Sequence, residues 1–272
     1  MVRAVAGGRV ATTAGADLRV ALLRRTAEPE TAVALAARLC YSPDRIDELE
    51  RGVDAAAAAA LIRRIVGLGH LSVLEHAVFS FGVDGISRAA SHQLVRHRLA
   101  SYSQQSQRYV AAREDFEHVV PPAVAARPRL AGRYAGLMRA CGRTYRELLA
   151  AGVPAEDARF VLPNAAATRI IVTMNARELR HFFRVRCCLR AQWEIRELAE
   201  RMLGLARQAA PVLFEGCGPG CVGGPCPEGK MTCGRLREVR AAYRSWSTGA
   251  DRPAVGVGGR GGRGGRGAGQ AG

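Results

Sequence analysis

Two short runs of β-branched and aromatic residues, His76 to Val83 (HAVFSFGV) and Thr168 to Met174 (TRIIVTM), lie far apart in a chain otherwise patterned as helix. Runs of this length, rich in residues that suit a pleated surface, read as buried strands. Asp84-Gly85 supplies turn chemistry that ends the first. Ala, Leu and Ile at helical spacing cover residues 29–66, and Gly67, Gly69 and His70 break the pattern. Ser87 can cap a helix running to about Leu99, after which Ser103 to Val110 is polar, alternating and extended. Pro121, Pro122 and Pro128 mark a loop ahead of a long helix, Leu130 to Ala151. Asn175 suits a helix cap, with Glu178 three residues on completing a capping-box-like pair. That helix and the next, Gln192 to Ala209, carry the second half of the core. Strands interleaved with helices predict an α+β domain, and periodicity alone goes no further.

Hydrophobic residues make up 48% and charged residues 24% of the 272 positions, the balance of a chain with a buried core. No apolar run approaches the ~20 residues that span a bilayer. Met1 to Leu22 lacks the apolar stretch of a signal peptide, so the expected compartment is the cytoplasm. The formal net charge is +16, and Lys230 is the only lysine among 40 basic residues. High-GC coding gives such arginine dominance with no functional meaning, whereas an anionic partner gives it a purpose. The two are compatible, because a guanidinium also binds phosphate through a planar fork of donors.

The densest constellation is Arg96-His97-Arg98-Leu-Ala-Ser101-Tyr-Ser-Gln-Gln-Ser106-Gln-Arg108. On a helix, Gln93, Arg96 and His97 would share a face at i, i+3 and i+4. Adjacent cationic and titratable groups repel one another, so stability alone does not favour the arrangement. They suit the surroundings of an anion or an electron-rich ring, and the following Ser, Gln and Arg add donors for phosphate and pyrimidine edges. A solvated basic face is the alternative reading of any such cluster.

Against that alternative, the segment resembles the RHRxxSxxxxSxR signature of flavin-dependent thymidylate synthases at all six fixed positions. His70-Leu-Ser72-Val-Leu-Glu75-His76, Arg159-Phe-Val-Leu-Pro163, Asn175-Ala-Arg177 through Arg186, and Ala191-Gln192-Trp193-Glu194 are similar to further blocks of that family, in its order and spacing. The similarity runs from about residue 30 to about residue 215.

The resemblance implies an α+β fold with a mixed, largely antiparallel sheet flanked by helices, in a single catalytic domain that forms a homotetramer. It implies FAD as cofactor, NADPH as hydride donor, and methylenetetrahydrofolate as the one-carbon donor for turning dUMP into dTMP and tetrahydrofolate. The FAD contacts it implies are Ser72, Arg96, His97, Arg98, Gln104, Asn175, Ala176, Arg177 and His181. For dUMP it implies Gln93 and Arg96, with the adjoining Leu94 and Val95, from one subunit. Gln104, Gln105, Ser106, Gln107, Arg108 and Arg159 would come from another. Arg186 is the implied catalytic residue, its charge stabilising uracil as N3 loses a proton and C5 becomes nucleophilic. His70 would help position flavin and nucleotide. Gln104 stands where some members have Glu, and it keeps the reach but cannot act as a base. His181 stands where some have Asn.

On this reading the chain divides into an N-terminal extension (1–28), the catalytic domain (29–215), a Cys-rich extension (216–246) and a disordered Gly/Arg-rich tail (247–272). Of the eight cysteines, Cys40, Cys141, Cys187 and Cys188 lie in packed-helix segments. Cys217-x3-Cys221-x4-Cys226-x6-Cys233 could supply four thiolates to zinc, but the spacing is not that of paired C-x2-C ribbons. Metal, free thiols and oxidation all stay open there. A nucleic-acid-binding protein with basic helices and a four-cysteine metal site is the rival class. It leaves the ordered pattern of 93–108 unexplained and has few aromatics for base stacking, so neither nucleic acid nor membrane is an expected partner.

Overall fold

The computed structural model describes residues 16–50, 54–110, 116–246 and residue 253. In chain order β1 (Arg19–Arg25) is followed by α1 (Pro29–Leu39), α2 (Ile46–Glu50), α3 (Ala55–Gly67) and a 3-10 turn, Ser72–His76. Next come β2 (Val78–Ser87), α4 (Arg88–Leu94), β3 (Ala100–Gln104), α5 (Pro122–Ala125), α6 (Pro128–Ala150) and α7 (Ala155–Ala158). The chain then forms β4 (Ala167–Asn175), α8 (Ala176–Arg186), α9 (Trp193–Ala209) and α10 (Leu236–Ser245). The Gly/Arg tail, residue 253 apart, lies outside the described residues.

The four strands form one sheet in the order β1-β2-β4-β3. Every pairing in it is antiparallel, so the mixed sheet expected from the resemblance is corrected to a wholly antiparallel one among the described residues. The two strands legible in the sequence, β2 and β4, are its central pair. Their alternation decides the layering: Phe79, Phe81 and Val83 face inward from β2, and Ile170, Val172 and Met174 from β4. On the outer face Ser80 and Thr173 join their hydroxyls across the pair at 2.8 Å.

α8 and α9 cover the inner face, and Phe182, Phe183 and Phe214 fill the layer between. Phe79 meets Phe214 edge-on with ring centroids 5.3 Å apart, the geometry that aromatic quadrupoles favour. Each fully buried aromatic here contributes on the order of 2 kcal/mol by removing apolar area from water.

Three local expectations give way to the structure. β2 does not end at Asp84-Gly85; it bulges there and continues to Ser87. Gly85 has φ +76, and a Cβ on it would fall 2.3 Å from the Asp17 carbonyl oxygen, so the position tolerates no side chain. The helix from Ser87 stops at Leu94 rather than about Leu99, and the extended segment is Ala100–Gln104 rather than 103–110. Pairing of β3 with β4 satisfies that backbone in place of further helix. β1, in the stretch set aside as an extension, went unread because arginines bracket its few apolar residues. α10 also went unread, yet Val239 and Tyr243 on it join the core together with Cys217 and Cys221.

Two buried polar groups anchor α4. Ser87 accepts from the Ala90 amide at 3.0 Å as its cap. Its own amide and hydroxyl donate to the Glu194 carboxylate at 2.6 Å each. No helix among the described residues is long and apolar enough to cross a membrane.

Candidate active site

The RHR segment is built by the early end of α4. Beyond Leu94 the chain tightens, with the His97 amide donating to the Leu94 carbonyl at 3.1 Å. The Tyr102 hydroxyl lies 2.8 Å from both the Leu94 and the His97 carbonyl oxygens and holds the bend. Burial raises the Tyr102 pKa, so the group stays a neutral phenol that donates. The result splits the motif: His97 turns inward to 5% exposure while Arg96 and Arg98 face solvent. The shared helical face predicted for Gln93, Arg96 and His97 is therefore not formed.

The buried imidazole is held from both sides. Its Nδ1 lies 3.1 Å from Oε1 of Glu178, and the Arg186 Nε–H donates to its Nε2 at 3.0 Å. A guanidinium can only donate, so Nε2 must accept and Nδ1 must carry the proton and donate a hydrogen bond to Glu178. His97 is thus a neutral ring of defined tautomer. Burial pushes its pKa down to about 4, and the neighbouring Arg186 and His181 push the same way. Phe182 packs edge-on against it at 5.0 Å. Burial raises the Glu178 pKa, with His181 opposing.

Arg186 sits half-buried at the last position of α8, and its Nη2 donates to the Gln93 carbonyl at 3.2 Å. Two anchors thus fix the plane of the guanidinium.

A second set of contacts gathers the predicted phosphate ligands. Arg108 pairs with Glu156 at 2.7 Å, and Arg159 Nε donates to the Glu156 carbonyl at 3.0 Å. The Ser106 hydroxyl accepts from the Arg108 amide at 3.1 Å and shapes the turn. Arg88 stands close by: burial lowers its pKa first, and the charge of Arg159 adds to the effect. Between the two sets, Gln104 donates to the Ser91 and Thr168 hydroxyls at 3.1 and 3.3 Å. Gln105 accepts from Arg169 at 3.3 Å, Gln107 is half-buried, Leu94 is buried and Val95 exposed.

A third set surrounds the start of α8. Asn175 caps it by accepting from the Glu178 amide at 2.9 Å, as the sequence predicts. The Glu178 carboxylate, however, goes to His97 rather than serving a capping box. Buried Ala176 ties the helix to Ala77, while Arg177 pairs with Glu75 beside exposed Ser72. His181 is exposed one turn on, its ring 5.8 Å from that of His97. His70 meets the Tyr41 hydroxyl at 3.0 Å.

Sequence reading missed Glu156, Tyr102 and Arg88, and gave Glu178 a different task. Glu156 is signalled by its i, i+3 spacing to Arg159, and Tyr102 by being the one aromatic inside the Ser/Gln pattern.

Exposed arginines beside a buried neutral imidazole and a fixed guanidinium, on an antiparallel α+β scaffold, give the site a cationic chemistry suited to anionic ligands. Residues 21–212 match the family described as Thymidylate synthase complementing protein. The chain is 60% identical over 231 residues to the flavin-dependent thymidylate synthase of Geobacter sulfurreducens, covering 85% of this chain and 100% of that one. Identity to the flavin-dependent thymidylate synthase of Clostridium tetani is 42% over 242 residues, covering 83% and 97%. Among solved structures, the UMP/dUMP methylase PolB from Streptomyces cacaoi bound with 5-Br dUMP is similar with a TM-score of 0.64 and 25% identity. That match covers 74% of this chain and 94% of the other. The chain belongs to the flavin-dependent thymidylate synthase family. Nothing in these similarities supports the nucleic-acid-binding alternative.

Proposed function

We propose that this protein carries out the reductive methylation of dUMP to dTMP, with methylenetetrahydrofolate as carbon donor and NADPH as reductant. The observation that carries the reading is the Arg186 guanidinium, fixed by neutral His97 and the Gln93 carbonyl at the edge of the buried site. A charge oriented before the reaction stabilises negative charge developing on a uracil ring without reorganising. Loss of the N3 proton then leaves electron density at C5, the atom that takes the one-carbon unit.

Arg108 and Arg159, with Ser106, would hold the dUMP phosphate. Arg108 is paired with Glu156 in the free protein, but both partners are about half exposed. Such a pair is worth ~0–1 kcal/mol, so a dianionic phosphate can displace it.

The donor set also fits a dinucleotide with two phosphates. Exposed Arg96 and Arg98 flank His97, which meets Glu178 in the first turn of α8, and exposed Arg177 belongs to that capped first turn, where the dipole favours anions. Ser72, His97, Gln104, Asn175, Ala176 and His181 would complete the FAD site. FAD bound there would supply the hydride-transfer chemistry, with NADPH as the proposed source.

The homotetramer belongs to the same reading. The outer sheet face leaves Leu23 and Ile171 exposed around a concavity of about 460 Å³, a surface a second copy can cover. Gln104 to Arg108 and Arg159 would then meet Arg186 across subunits. Cytoplasmic residence completes the proposal, with the expected 29–215 catalytic domain enlarged by β1, which belongs to its sheet, and a Cys-rich extension whose α10 packs on its core.

Tritium release from 5-³H-dUMP tests it. Release that requires both NADPH and methylenetetrahydrofolate is expected. NADPH oxidation indifferent to dUMP, without tritium release, would point to a reductase instead.

A further inference from the structure

Outside the site just described, one feature of the fold is unabsorbed: cysteines from two distant parts of the chain line a single small cavity. Cys188, just past the end of α8, faces Cys221, Cys226 and Cys233 from the loop between α9 and α10, with Arg184 and Glu228 on the rim. The thiols influence one another directly, Cys188 and Cys221 each sensing both Cys226 and Cys233.

Cys217, which the sequence spacing groups with this loop, goes elsewhere. It is 6% exposed, its surroundings are Arg180 and Arg207, and its carbonyl accepts from Arg207 at 2.6 Å. The set of four is therefore closed by Cys188 and not by Cys217.

We propose that Cys188, Cys221, Cys226 and Cys233 are the four thiolate ligands of one metal centre that ties the C-terminal loop to the end of α8.

The loop is folded for the purpose. The Gly220 amide donates to the Arg184 carbonyl at 3.2 Å, and Arg240 Nε on α10 donates to the Cys221 carbonyl at 2.8 Å. A Cβ on Gly220 would come within 2.9 Å of the Pro227 ring, so only glycine lets the turn close. The Arg190 amide points at the Cys188 sulfur at 3.5 Å, a bond that a thiolate ligand strengthens. Burial holds the Cys188 and Cys221 thiols above their ordinary pKa. A soft cation reverses that balance: it takes four thiolates, the displaced protons go to solvent, and Arg184 offsets part of the net negative charge.

Two soft centres take four thiolates, a single zinc ion and an iron–sulfur cluster. Zinc would draw the sulfurs to ~3.8 Å of one another, as bonds of ~2.3 Å to a tetrahedral ion require. Among the described residues only His97, Glu178 and His181 have ligating atoms all within 4.8 Å of each other. In that trio both His97 nitrogens are already engaged, by Glu178 and Arg186. No three of the cysteine sulfurs all lie within that distance of one another among the described residues, so zinc would draw them inward by side-chain rotation and a larger cluster would need less of it.

The test is the metal content of full-length protein purified without oxygen and without added metal. Either about one zinc per chain, or iron and acid-labile sulfide in equal amounts with a visible charge-transfer band, supports the centre and tells which it is. Cys188→Ser should lose most of that metal, and Cys217→Ser should keep it. If Cys188→Ser fails to fold, the wild-type count and the Cys217→Ser count still decide. Wild-type protein free of both metals, or metal lost with Cys217→Ser in a folded protein, overturns the proposal.

Discussion

Arg186 Nε and His97 Nε2 lie 3.0 Å apart, and the direction of that hydrogen bond fixes the protonation of both groups. The arginine must donate, so the histidine must be neutral, and an imidazolium would place two like charges in contact. Glu178 on the far side accepts the hydrogen bond from the remaining ring N–H.

Arg186→Ala should cut dTMP formation by ~10²–10³, the usual cost of losing an oriented charge at developing negative charge. FAD content should stay close to wild type, because the implied flavin contacts lie on other residues. Arg186→Lys should recover little, since an ammonium cannot span His97 and the Gln93 carbonyl at once. The measurement is single-turnover dTMP formation at saturating dUMP, and near-normal rates for the alanine variant would rule out the role.

The depressed His97 pKa makes folding pH-dependent. The folded state keeps the ring neutral down to about 4, whereas the unfolded chain takes up a proton near 6.5. Across that window the unfolded state binds more protons, so stability falls as pH falls; above 6.5 the contribution is fully present. The loss reaches at most ~3 kcal/mol, and the raised pKa of Glu178 works in the opposite direction. Urea unfolding of wild type and His97→Gln at pH 7 and pH 4.5 isolates the effect. Equal pH slopes for the two proteins would count against it.

Glu194→Ala should destabilise the fold by about 3 kcal/mol, because a buried charged acceptor of two hydrogen bonds disappears and Ser87 is left unpaired. Since Ser87 starts α4, which carries Gln93, dUMP affinity should weaken as well. A urea midpoint indistinguishable from wild type would contradict this account of the anchor.

The strands that sequence reveals are those buried on one face, because burial forces the period-two pattern of Phe79, Phe81, Val83 and of Ile170, Val172, Met174. β1 and β3 are edges whose residues answer to solvent as much as to the core, and their pattern is correspondingly weak. In the site, the Asn175 cap was legible because its chemistry is local. The inward turn of His97 was not: it depends on Tyr102 lying against two carbonyls and on Glu178 reaching it from α8, 81 residues away in the chain. Long-range partners leave no spacing to read.

Cys187→Ala should leave dTMP formation largely intact at a cost of ~1–2 kcal/mol in stability. Its thiol is fully buried, and burial pushes its pKa well above the ordinary value, the opposite of an activated nucleophile. A folded, FAD-loaded variant with no turnover would restore a covalent role for that sulfur.

α8 begins at the residue after β4 ends, with no loop between them, and its 11 residues carry both partners of His97. The distance from the cap to the guanidinium is therefore a count of peptide units, ~16 Å along the axis, rather than the outcome of a flexible connection. Inserting one alanine between Leu179 and Arg186 would swing the arginine by ~100° and advance it by ~1.5 Å while leaving Glu178 in place. The imidazole cannot follow both. The helix works as a gauge cut to one length.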